Sequence, residues 1–339
     1  MELWLVALAT ACAVAAVHGV AERLRRIYER KSILPSSEER IVILGASSVN
    51  GIGAAIAQQC LERGAYNIML VGRRSDALRE VKLALISGLE SEAAKTRAQN
   101  IELFVADCTD EEDVLRLASA IVQDFGGIDT LYIVFGAICT QPLLCMAGLD
   151  PLSDPAAKEP TLEGLRATSD AMQQSNAANI TSTALILTAL IPALQTNSKA
   201  PYVAVIGSLA SLVPAPTRGL YCATKAAQQM LVLSTAAECA SQAHVAGRAH
   251  VKFVVMAPSS VATSFSTRLA IGVPTDRKQA SRSKGKLLSA HDVGETVVRC
   301  VERGVTGVVP MPYRFFFVWL LFPLLPGLVE RGAHRRYGY

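Results

Sequence analysis

The chain has 339 residues, of which 51% are hydrophobic and 18% are charged. This length and composition provide enough apolar surface for a buried core and exclude a disordered chain. The net charge of +4 is small and spread along the sequence, which excludes the concentrated basic face that nucleic-acid binding requires. The eight cysteines lack CxxC pairs and cysteine–histidine clusters, so we expect neither a metal site nor a disulfide framework.

An apolar segment opens the chain. Residues 3–20 contain no Asp, Glu, Lys or Arg, and their number is close to the roughly 20 residues that a membrane-spanning helix needs. We therefore predict a membrane anchor over residues 1–21 and a basic linker over residues 22–38. Because the bases follow the anchor, the positive-inside rule predicts that the remaining chain faces the cytosol. A cleaved signal peptide is the alternative, although no base precedes the apolar run.

Residues 39–312 alternate between two patterns. Short apolar runs that are typical of buried strands are separated by segments with helical periodicity. Apolar strands without polar alternation predict a parallel sheet with helices on both faces, a doubly wound α/β domain. Sheets of this kind bind ligands beyond the carboxyl ends of their strands, so the residues after each strand are the candidate site.

A glycine-rich loop, GASSVNGIG, follows the first strand and precedes a helix. Glycine lets the backbone approach a phosphate closely, and N–H groups at a helix N-terminus attract one. The glycine spacing fits no standard nucleotide fingerprint, so an ordinary strand-to-helix loop is the alternative. We predict a pyrophosphate-binding turn that contacts a dinucleotide through Gly45, Ser47, Ser48, Gly51, Ile52 and Gly53.

Charged residues follow the second and third strands. An acidic residue after the second strand suits NAD, whereas an arginine suits the 2′-phosphate of NADP. Arg73, with Arg74 in support, therefore indicates NADP(H), and two solvated arginines at a helix start are the alternative. After the third strand, Asp107 and Cys108 are predicted to lie at the adenine, with Asp107 accepting a hydrogen bond from its amine. Asp107 would otherwise serve as a carboxylate at a helix start.

Later strands lead to a serine, a tyrosine and a lysine. Ser208 precedes Tyr221 by 13 residues, and Tyr221 and Lys225 are four apart in YCATK. On a helix this spacing brings the phenol and the ammonium to one face. A buried ammonium favours the phenolate, so we expect Lys225 to lower the pKa of Tyr221 from about 10. The YxxxK pattern alone is weak evidence, because chance produces it often.

Taken in order, these motifs resemble the short-chain dehydrogenase/reductase family over about residues 39–307. The resemblance implies a single Rossmann-type domain in which Tyr221 is the general acid/base, Ser208 holds the substrate carbonyl and Lys225 binds the nicotinamide ribose. It also implies that Asn179, 13 residues before Pro192, supports a proton relay. The remaining cofactor contacts that it implies come from Ala137, Val261 and Thr263.

Two features depart from the family pattern. The glycine-rich turn is two residues longer than usual, and Val49 and Asn50 are taken as the insertion. The family's NNAG motif after the fourth strand reads VFGA, so its asparagine contacts are missing and Ala137 replaces a glycine. We expect these changes to affect the affinity for the cofactor and the support of the fourth strand more than the catalytic reaction.

A second apolar segment closes the chain. Residues 315–325 are strongly apolar, but Pro323 and Pro326 interrupt them before they are long enough to cross a bilayer. We predict that residues 313–339 insert into one leaflet of a membrane. A buried core segment or a contact surface in a homodimer is the alternative.

The combined prediction is an NADP(H)-dependent oxidoreductase that reduces a ketone, or oxidises the alcohol, on a lipophilic substrate at a membrane. The membrane segments resemble those of endoplasmic-reticulum members of the family, such as 3-ketodihydrosphingosine reductases and hydroxysteroid dehydrogenases. We therefore expect membrane lipid as a partner and a catalytic domain on the cytosolic side of the endoplasmic reticulum. The alternative is a non-catalytic NADP-binding scaffold or sensor, which an intact set of serine, tyrosine, lysine and asparagine argues against.

Overall fold

The computed structural model describes residues 29–152, 154–156, 158–263, 265, 270–271 and 287–337. The predicted anchor over residues 1–21 and the first part of the linker over residues 22–38 lie outside these described residues. The remaining linker contains helix α1 (Glu29–Ile33). Its Arg30 is buried and forms an ion pair with Glu39 at 2.7 Å, so this base of the linker belongs to the folded domain.

Seven parallel strands form the central sheet. In chain order they are β1 (Arg40–Leu44), β2 (Asn67–Gly72), β3 (Glu102–Val105), β4 (Thr130–Ile133), β6 (Tyr202–Ile206), β7 (Lys252–Pro258) and β9 (Gly307–Met311). Their order across the sheet is β3–β2–β1–β4–β6–β7–β9, and every pairing is parallel. Two short strands, β5 (Ile138–Cys139) and β8 (Ala270–Ile271), pair separately.

Helices connect the strands. They are α2 (Ile52–Glu62), α3 (Ser75–Ser87), α4 (Glu92–Ala98), α5 (Glu111–Gln123), α6 (Leu143–Met146), α7 (Leu162–Asn176), α8 (Ser182–Asn197), α9 (Gly219–Gln242), α10 (Ala290–Glu302), α11 (Phe315–Leu321) and α12 (Pro326–Tyr337). A π-helical turn, Ala177–Thr181, joins α7 to α8, and a 3₁₀ turn, Leu209–Ser211, follows β6.

The strands are buried on both faces. In β1, Ile41 and Ile43 join one apolar cluster, while Val42 and Leu44 join another on the opposite face. Successive side chains of a strand point to opposite faces, so a strand covered by helices on both sides is apolar throughout. The predicted Rossmann-type doubly wound α/β sheet is therefore confirmed.

One continuous helical segment among the described residues, Leu162–Asn197, is long and apolar enough to cross a membrane by length and composition. Its apolar side chains are also those of a core helix, because Ile186, Leu190 and Leu194 are fully buried in the second apolar cluster with the strands. The helix continues past Pro192, which lies on an exposed position of α8. The length and the hydropathy of this helical segment are thus explained by its packing against the sheet.

The carboxyl ends of β1 and β4 meet at the point where the strand order reverses. β1 pairs with β2 on one side and with β4 on the other. The loops that follow β1 and β4 are in contact, since a Cβ atom on Gly45 would lie 2.6 Å from the backbone nitrogen of Phe135. This crevice is the usual position of a ligand in an open α/β sheet.

The predicted C-terminal apolar segment forms α11 and α12 after β9. Trp319 of α11 packs against the second apolar cluster, which attaches this part of the chain to the domain. Other apolar side chains of the segment are exposed, and Phe317 and Leu324 are 61% and 74% exposed. The segment therefore has one side on the protein and an apolar side directed to its surroundings.

Candidate active site

Two glycines allow the loop after β1 to pack tightly. Gly45 has φ +92°, a left-handed conformation that favours glycine, and its N–H donates to the Val71 carbonyl at 2.9 Å. A Cβ atom on Gly53 would lie 2.8 Å from the Gly45 carbonyl oxygen. The start of α2 is thus brought against the exit of β1, the arrangement that a phosphate-binding turn requires.

The two extra residues of this loop project into solvent. Val49 and Asn50 are exposed and form a turn that the Gly51 N–H closes by donating to the Ser48 carbonyl at 2.9 Å. Ser47, Ser48 and Ile52 are half-buried beside them. The insertion therefore lengthens the exposed tip of the loop and leaves the glycines at its base.

The arginines after β2 have different environments. Arg74 donates to the Ser47 carbonyl at 2.8 Å, so it braces the glycine-rich loop. Arg73 is 62% exposed and its guanidinium lies 3.5 Å from the Asp107 carboxylate. Arg73 is therefore the arginine that is available to an anionic ligand at this edge of the sheet.

Asp107 is held by its own loop. Its Oδ1 accepts hydrogen bonds from the N–H and the hydroxyl of Thr109 at 3.0 and 2.8 Å. Partial burial acts to raise the pKa of Asp107, but the Thr109 hydrogen bonds and the Arg73 charge outweigh it and hold the pKa below its usual value. The cap of α5 is Asp110 instead, which accepts from the Asp113 N–H. Burial raises the pKa of the neighbouring Cys108 thiol to about 12, so this thiol is neutral.

Asn179 lies in the π-helical turn and is fully buried. Its Oδ1 accepts from the Ala137 N–H and its Nδ2 donates to the Ala137 carbonyl, each at 2.9 Å. Its Nδ2 also donates to the Thr224 hydroxyl at 3.0 Å. The side chain thus ties the loop after β4 to helix α9. π-Helical turns are frequent at functional sites because they re-aim a single side chain.

Lys225 is buried, and its ammonium has two oxygen partners. Its Nζ donates to the Ile206 carbonyl at 3.1 Å and to Gln228 Oε1 at 2.8 Å. Gln228 in turn donates to the Thr183 hydroxyl at 2.8 Å, and that hydroxyl donates to the Asn179 carbonyl. Burial lowers the pKa of Lys225 to about 7. A continuous hydrogen-bonded network therefore connects the lysine to the asparagine.

Tyr221 shares a side-chain hydrogen bond with Ser208, and both follow the carboxyl end of β6. Burial raises the pKa of Tyr221 to about 12, and the opposing effects come from Ser208 and Arg218 rather than from Lys225. The prediction that Lys225 lowers this pKa is therefore wrong for the chain by itself. Burial acts on both groups, and it favours the neutral phenol as well as the neutral amine.

The remaining predicted contacts lie on neighbouring loops. Ala137 is held by Asn179, and a Cβ atom on the adjacent Gly136 would lie 2.7 Å from Asn179 Oδ1 and 3.4 Å from Lys225 Nζ. Val261 follows β7 and forms an isolated parallel bridge with Leu288. The Thr263 hydroxyl accepts from the backbone N–H of Phe265 at 3.4 Å.

Several site residues were not found from the sequence. Gln228 and Thr183 extend the buried network, and Gly136 allows Asn179 and Lys225 to approach. The ring centroid of Phe265 lies 6.4 Å from that of Tyr221, so it forms an apolar wall beside the phenol. Helical spacing offered a signal for Gln228, three residues after Lys225, and for Thr183, four residues after Asn179. No local pattern pointed to Phe265.

The described residues contain no group of three or more His, Cys, Asp or Glu side chains that would hold a metal ion. The polar groups near Tyr221 are hydroxyls, amides and cations. The site therefore provides proton donors and hydrogen bonds.

Residues 39–271 match the family model described as short chain dehydrogenase, which covers more than half of the chain. The chain therefore belongs to the short chain dehydrogenase family. Members of this family bind a nicotinamide cofactor, and membership supports an oxidoreductase that acts on an alcohol or ketone group.

Curated relatives match over a short stretch. An 11-beta-hydroxysteroid dehydrogenase B from Sesamum indicum is 36% identical over 91 residues, which are 27% of this chain and 22% of that protein. An 11-beta-hydroxysteroid dehydrogenase from Pinus massoniana is 37% identical over 92 residues, with the same coverage. The matched stretch thus spans about a fifth of the length of these relatives.

Solved structures share the fold. An alcohol dehydrogenase from the archaeon Thermococcus sibiricus, complexed with 5-hydroxy-NADP, has a TM-score of 0.57 and 21% identity, covering 81% of this chain and 97% of its own. A short-chain dehydrogenase from Streptomyces avermitilis has a TM-score of 0.62 and 17% identity, and the match covers 86% of this chain and 96% of that protein.

The buried network generates a prediction for Gln228→Leu. Removing the amide leaves the Lys225 ammonium with the Ile206 carbonyl as its one acceptor and removes the donor to the Thr183 hydroxyl, so we expect the free energy of unfolding to fall by about 2 kcal/mol. Because the lost acceptor stabilises charged Lys225, the loss should grow as the pH falls below about 7, the pKa of Lys225. Urea denaturation on both sides of that pH measures it.

Gln174→Leu is the matched control, since Gln174 is exposed on α7. It should change the free energy of unfolding by less than about 0.5 kcal/mol at either pH. Equal effects of the two substitutions, or a pH-independent loss in Gln228→Leu, would contradict the role assigned to Gln228.

Proposed function

We propose that the protein is an NADP(H)-dependent oxidoreductase that reduces a ketone on a lipophilic substrate at a membrane, or oxidises the corresponding alcohol. The observation that carries the proposal is Tyr221, hydrogen-bonded to Ser208 at the carboxyl edge of the sheet and four residues before buried Lys225. The bound nicotinamide would supply the hydride. The chain's own residues would supply the proton and the hydrogen bonds.

Tyr221 would donate its proton to the oxygen of the substrate as the ketone becomes an alkoxide. Ser208 would donate a hydrogen bond to the same oxygen, so negative charge does not develop without a partner. With a pKa near 12 the phenol is fully protonated at neutral pH, which suits it to act as the acid in ketone reduction. The backbone carbonyl of Asn179, through Thr183 and Gln228, would help to hold Lys225 where the nicotinamide ribose would bind.

NADP(H) is proposed as the cofactor because Arg73 presents an exposed guanidinium after β2. The first acidic residue after this strand, Asp76, lies in α3 and pairs with Arg79. The Asp107 carboxylate is 3.5 Å from Arg73, close enough to orient the guanidinium and leave donors for a 2′-phosphate. The NADP derivative in the Thermococcus sibiricus structure supports the same choice.

A lipophilic substrate is supported by the apolar surroundings of the site. Phe265 lies beside Tyr221, and the C-terminal segment that contains α11 and α12 exposes large apolar side chains such as Phe317, Leu324 and Leu328. We propose that this exposed apolar side rests in one leaflet of the endoplasmic-reticulum membrane, with the domain in the cytosol. The curated relatives are named as steroid dehydrogenases, and a steroid is a substrate of this lipophilic class.

Tyr221→Phe tests the catalytic assignment. Removing the proton donor should lower NADPH-dependent reduction of long-chain ketones by at least about 100-fold, because general acid catalysis contributes that much. Initial rates of NADPH oxidation by membranes that contain the protein measure it. Tyr66→Phe, which removes a hydroxyl from a ring that contacts Arg97 away from the site, is the control and should retain full activity.

Equal turnover by the wild type and Tyr221→Phe would refute the acid/base role. Binding of NADPH to both proteins without turnover by either, over a panel of ketones, would favour the non-catalytic scaffold.

Arg73→Gln tests the cofactor. Loss of a charge-assisted hydrogen bond to the 2′-phosphate should weaken NADPH binding by about tenfold or more and leave NADH binding within about twofold. Arg79→Gln, in the helix α3 that follows Arg73 and 68% exposed, is the matched control and should weaken the binding of neither cofactor. Fluorescence titration of the reduced cofactors measures both affinities, and equal losses for NADPH and NADH in Arg73→Gln would remove the argument for NADP.

A further inference from the structure

A short turn carries Ser208 and sets the direction of its hydroxyl. Ser208 is extended, and its Oγ accepts a hydrogen bond from the Ala210 N–H at 3.1 Å, at the start of the 3₁₀ turn Leu209–Ser211. Because that N–H occupies one lone pair of the oxygen, the hydroxyl proton points away from it. The orientation of the Ser208 hydroxyl therefore depends on where the turn holds the Ala210 N–H.

The turn depends on Ser211 for its polar contacts. A 3₁₀ turn has hydrogen bonds of poor geometry and is short, so it needs contacts from outside to stay in one position. The Ser211 N–H and the Ser211 hydroxyl both donate to the Ser208 carbonyl, at 3.0 and 2.6 Å. Leu209 and Leu212 pack on the second apolar cluster. The turn is thus held by apolar packing on one side and by Ser211 on the other.

Gln229 of α9 provides the next contact. The Ser211 oxygen lies 2.8 Å from the terminal amide of Gln229, which is half-buried. A hydroxyl has one proton and a carbonyl accepts only, so the Ser211 proton goes to the Ser208 carbonyl. The amide must then turn its NH₂ group to Ser211 for both contacts to be hydrogen bonds. In that orientation Gln229 donates to Ser211, and Ser211 donates to Ser208.

This contact joins the turn to the helix that carries Tyr221 and Lys225. Gln229 lies eight residues after Tyr221 on α9, a separation of about 12 Å along the helix axis. The turn is therefore attached to α9 at two separated points, at its start through Ser208 and at its end through Ser211. Two attachments fix the direction of the turn relative to the phenol as well as its position.

We propose that Ser211 and Gln229 are positioning residues that clamp the turn against α9, so that the Ser208 hydroxyl donates to the substrate oxygen beside Tyr221. The proposal rests on the proposed function and adds to it the two side chains that align the second donor of the site. A donor accelerates a reaction only while it points to the place where negative charge develops. Both residues act through Ser208 and not on the substrate itself.

Gln229→Glu tests the direction of the contact. A carboxylate has nearly the shape of the amide but cannot donate, so it takes the Ser211 proton away from the Ser208 carbonyl. We expect kcat for NADPH-dependent reduction of 2-undecanone to fall by about tenfold or more, and the KM for NADPH to stay within about twofold. Ser211→Ala should have the same effect. Initial rates of the full-length protein in non-ionic detergent measure both constants.

Ser87→Ala and Gln174→Glu are the matched controls. Ser87 donates to the carbonyl three residues before it, as Ser211 does, but it is exposed at the end of α3. Gln174 is exposed on α7, and its substitution makes the same change of charge. Neither control should change kcat by more than about twofold. A loss of kcat in a control as large as in its matched variant would overturn the proposal.

A double-mutant cycle separates positioning from a general loss of structure. If Ser211 acts through the Ser208 hydroxyl, Ser211→Ala should lower kcat by less than about twofold once Ser208→Ala has removed that hydroxyl. An equal loss of kcat in both backgrounds would show that Ser211 supports the fold alone, and it would contradict the proposal.

Hydrogen exchange, followed by mass spectrometry, tests the clamp without cofactor or substrate. The backbone N–H groups of Ala210 and Ser211 should exchange at least about tenfold faster in Gln229→Glu than in the wild type, because the turn opens more often. Both controls should keep the exchange rate of the wild type. Unchanged exchange in Gln229→Glu would overturn the clamp. Faster exchange in a protein whose wild type reduces none of a panel of ketones would uphold the clamp and reject the proposed reaction.

Discussion

The arrangement of the site depends on burial of the Lys225 side chain. An ammonium taken out of water is costly unless hydrogen bonds replace its hydration. Here the Ile206 carbonyl and Gln228 accept its protons, and Gln228 is fixed by Thr183 and so by Asn179. The same asparagine holds the loop after β4 through Ala137. One buried network therefore sets the position of the lysine, the loop of the fourth strand and helix α9.

Burial has opposite effects on the two titratable groups of this helix. It raises the pKa of Tyr221 to about 12 and lowers that of Lys225 to about 7. The chain alone thus favours the neutral phenol at neutral pH and leaves Lys225 about half protonated. Moving the tyrosine pKa to about 7 would require about 7 kcal/mol at about 1.4 kcal/mol per unit, which a positively charged nicotinamide and an ionised Lys225 would have to provide together. The free protein is prepared to donate a proton, and the oxidised cofactor would be needed to make the phenolate.

Features that depend on neighbouring residues in the sequence were predictable. Apolar runs between amphipathic segments predicted the parallel sheet, and the four-residue spacing of Tyr221 and Lys225 predicted a shared helix face. Features that depend on the depth of burial or on distant parts of the chain were not. The pKa of Tyr221 shifts in the direction opposite to the prediction because burial outweighs the nearby charge. Phe265 lies beside Tyr221 although the two residues are far apart in the chain, which no local spacing reveals.

The central claim is that burial keeps Tyr221 protonated until the oxidised cofactor binds beside Lys225. The most direct measurement is a pH titration of tyrosinate by ultraviolet difference absorbance, with and without NADP⁺, in the wild type and in Tyr221→Phe. We expect NADP⁺ to produce one additional tyrosinate in the wild type at a pH below about 10, the ordinary tyrosine pKa, and none in Tyr221→Phe. A tyrosinate signal that is the same with and without NADP⁺, or that survives in Tyr221→Phe, would contradict the account.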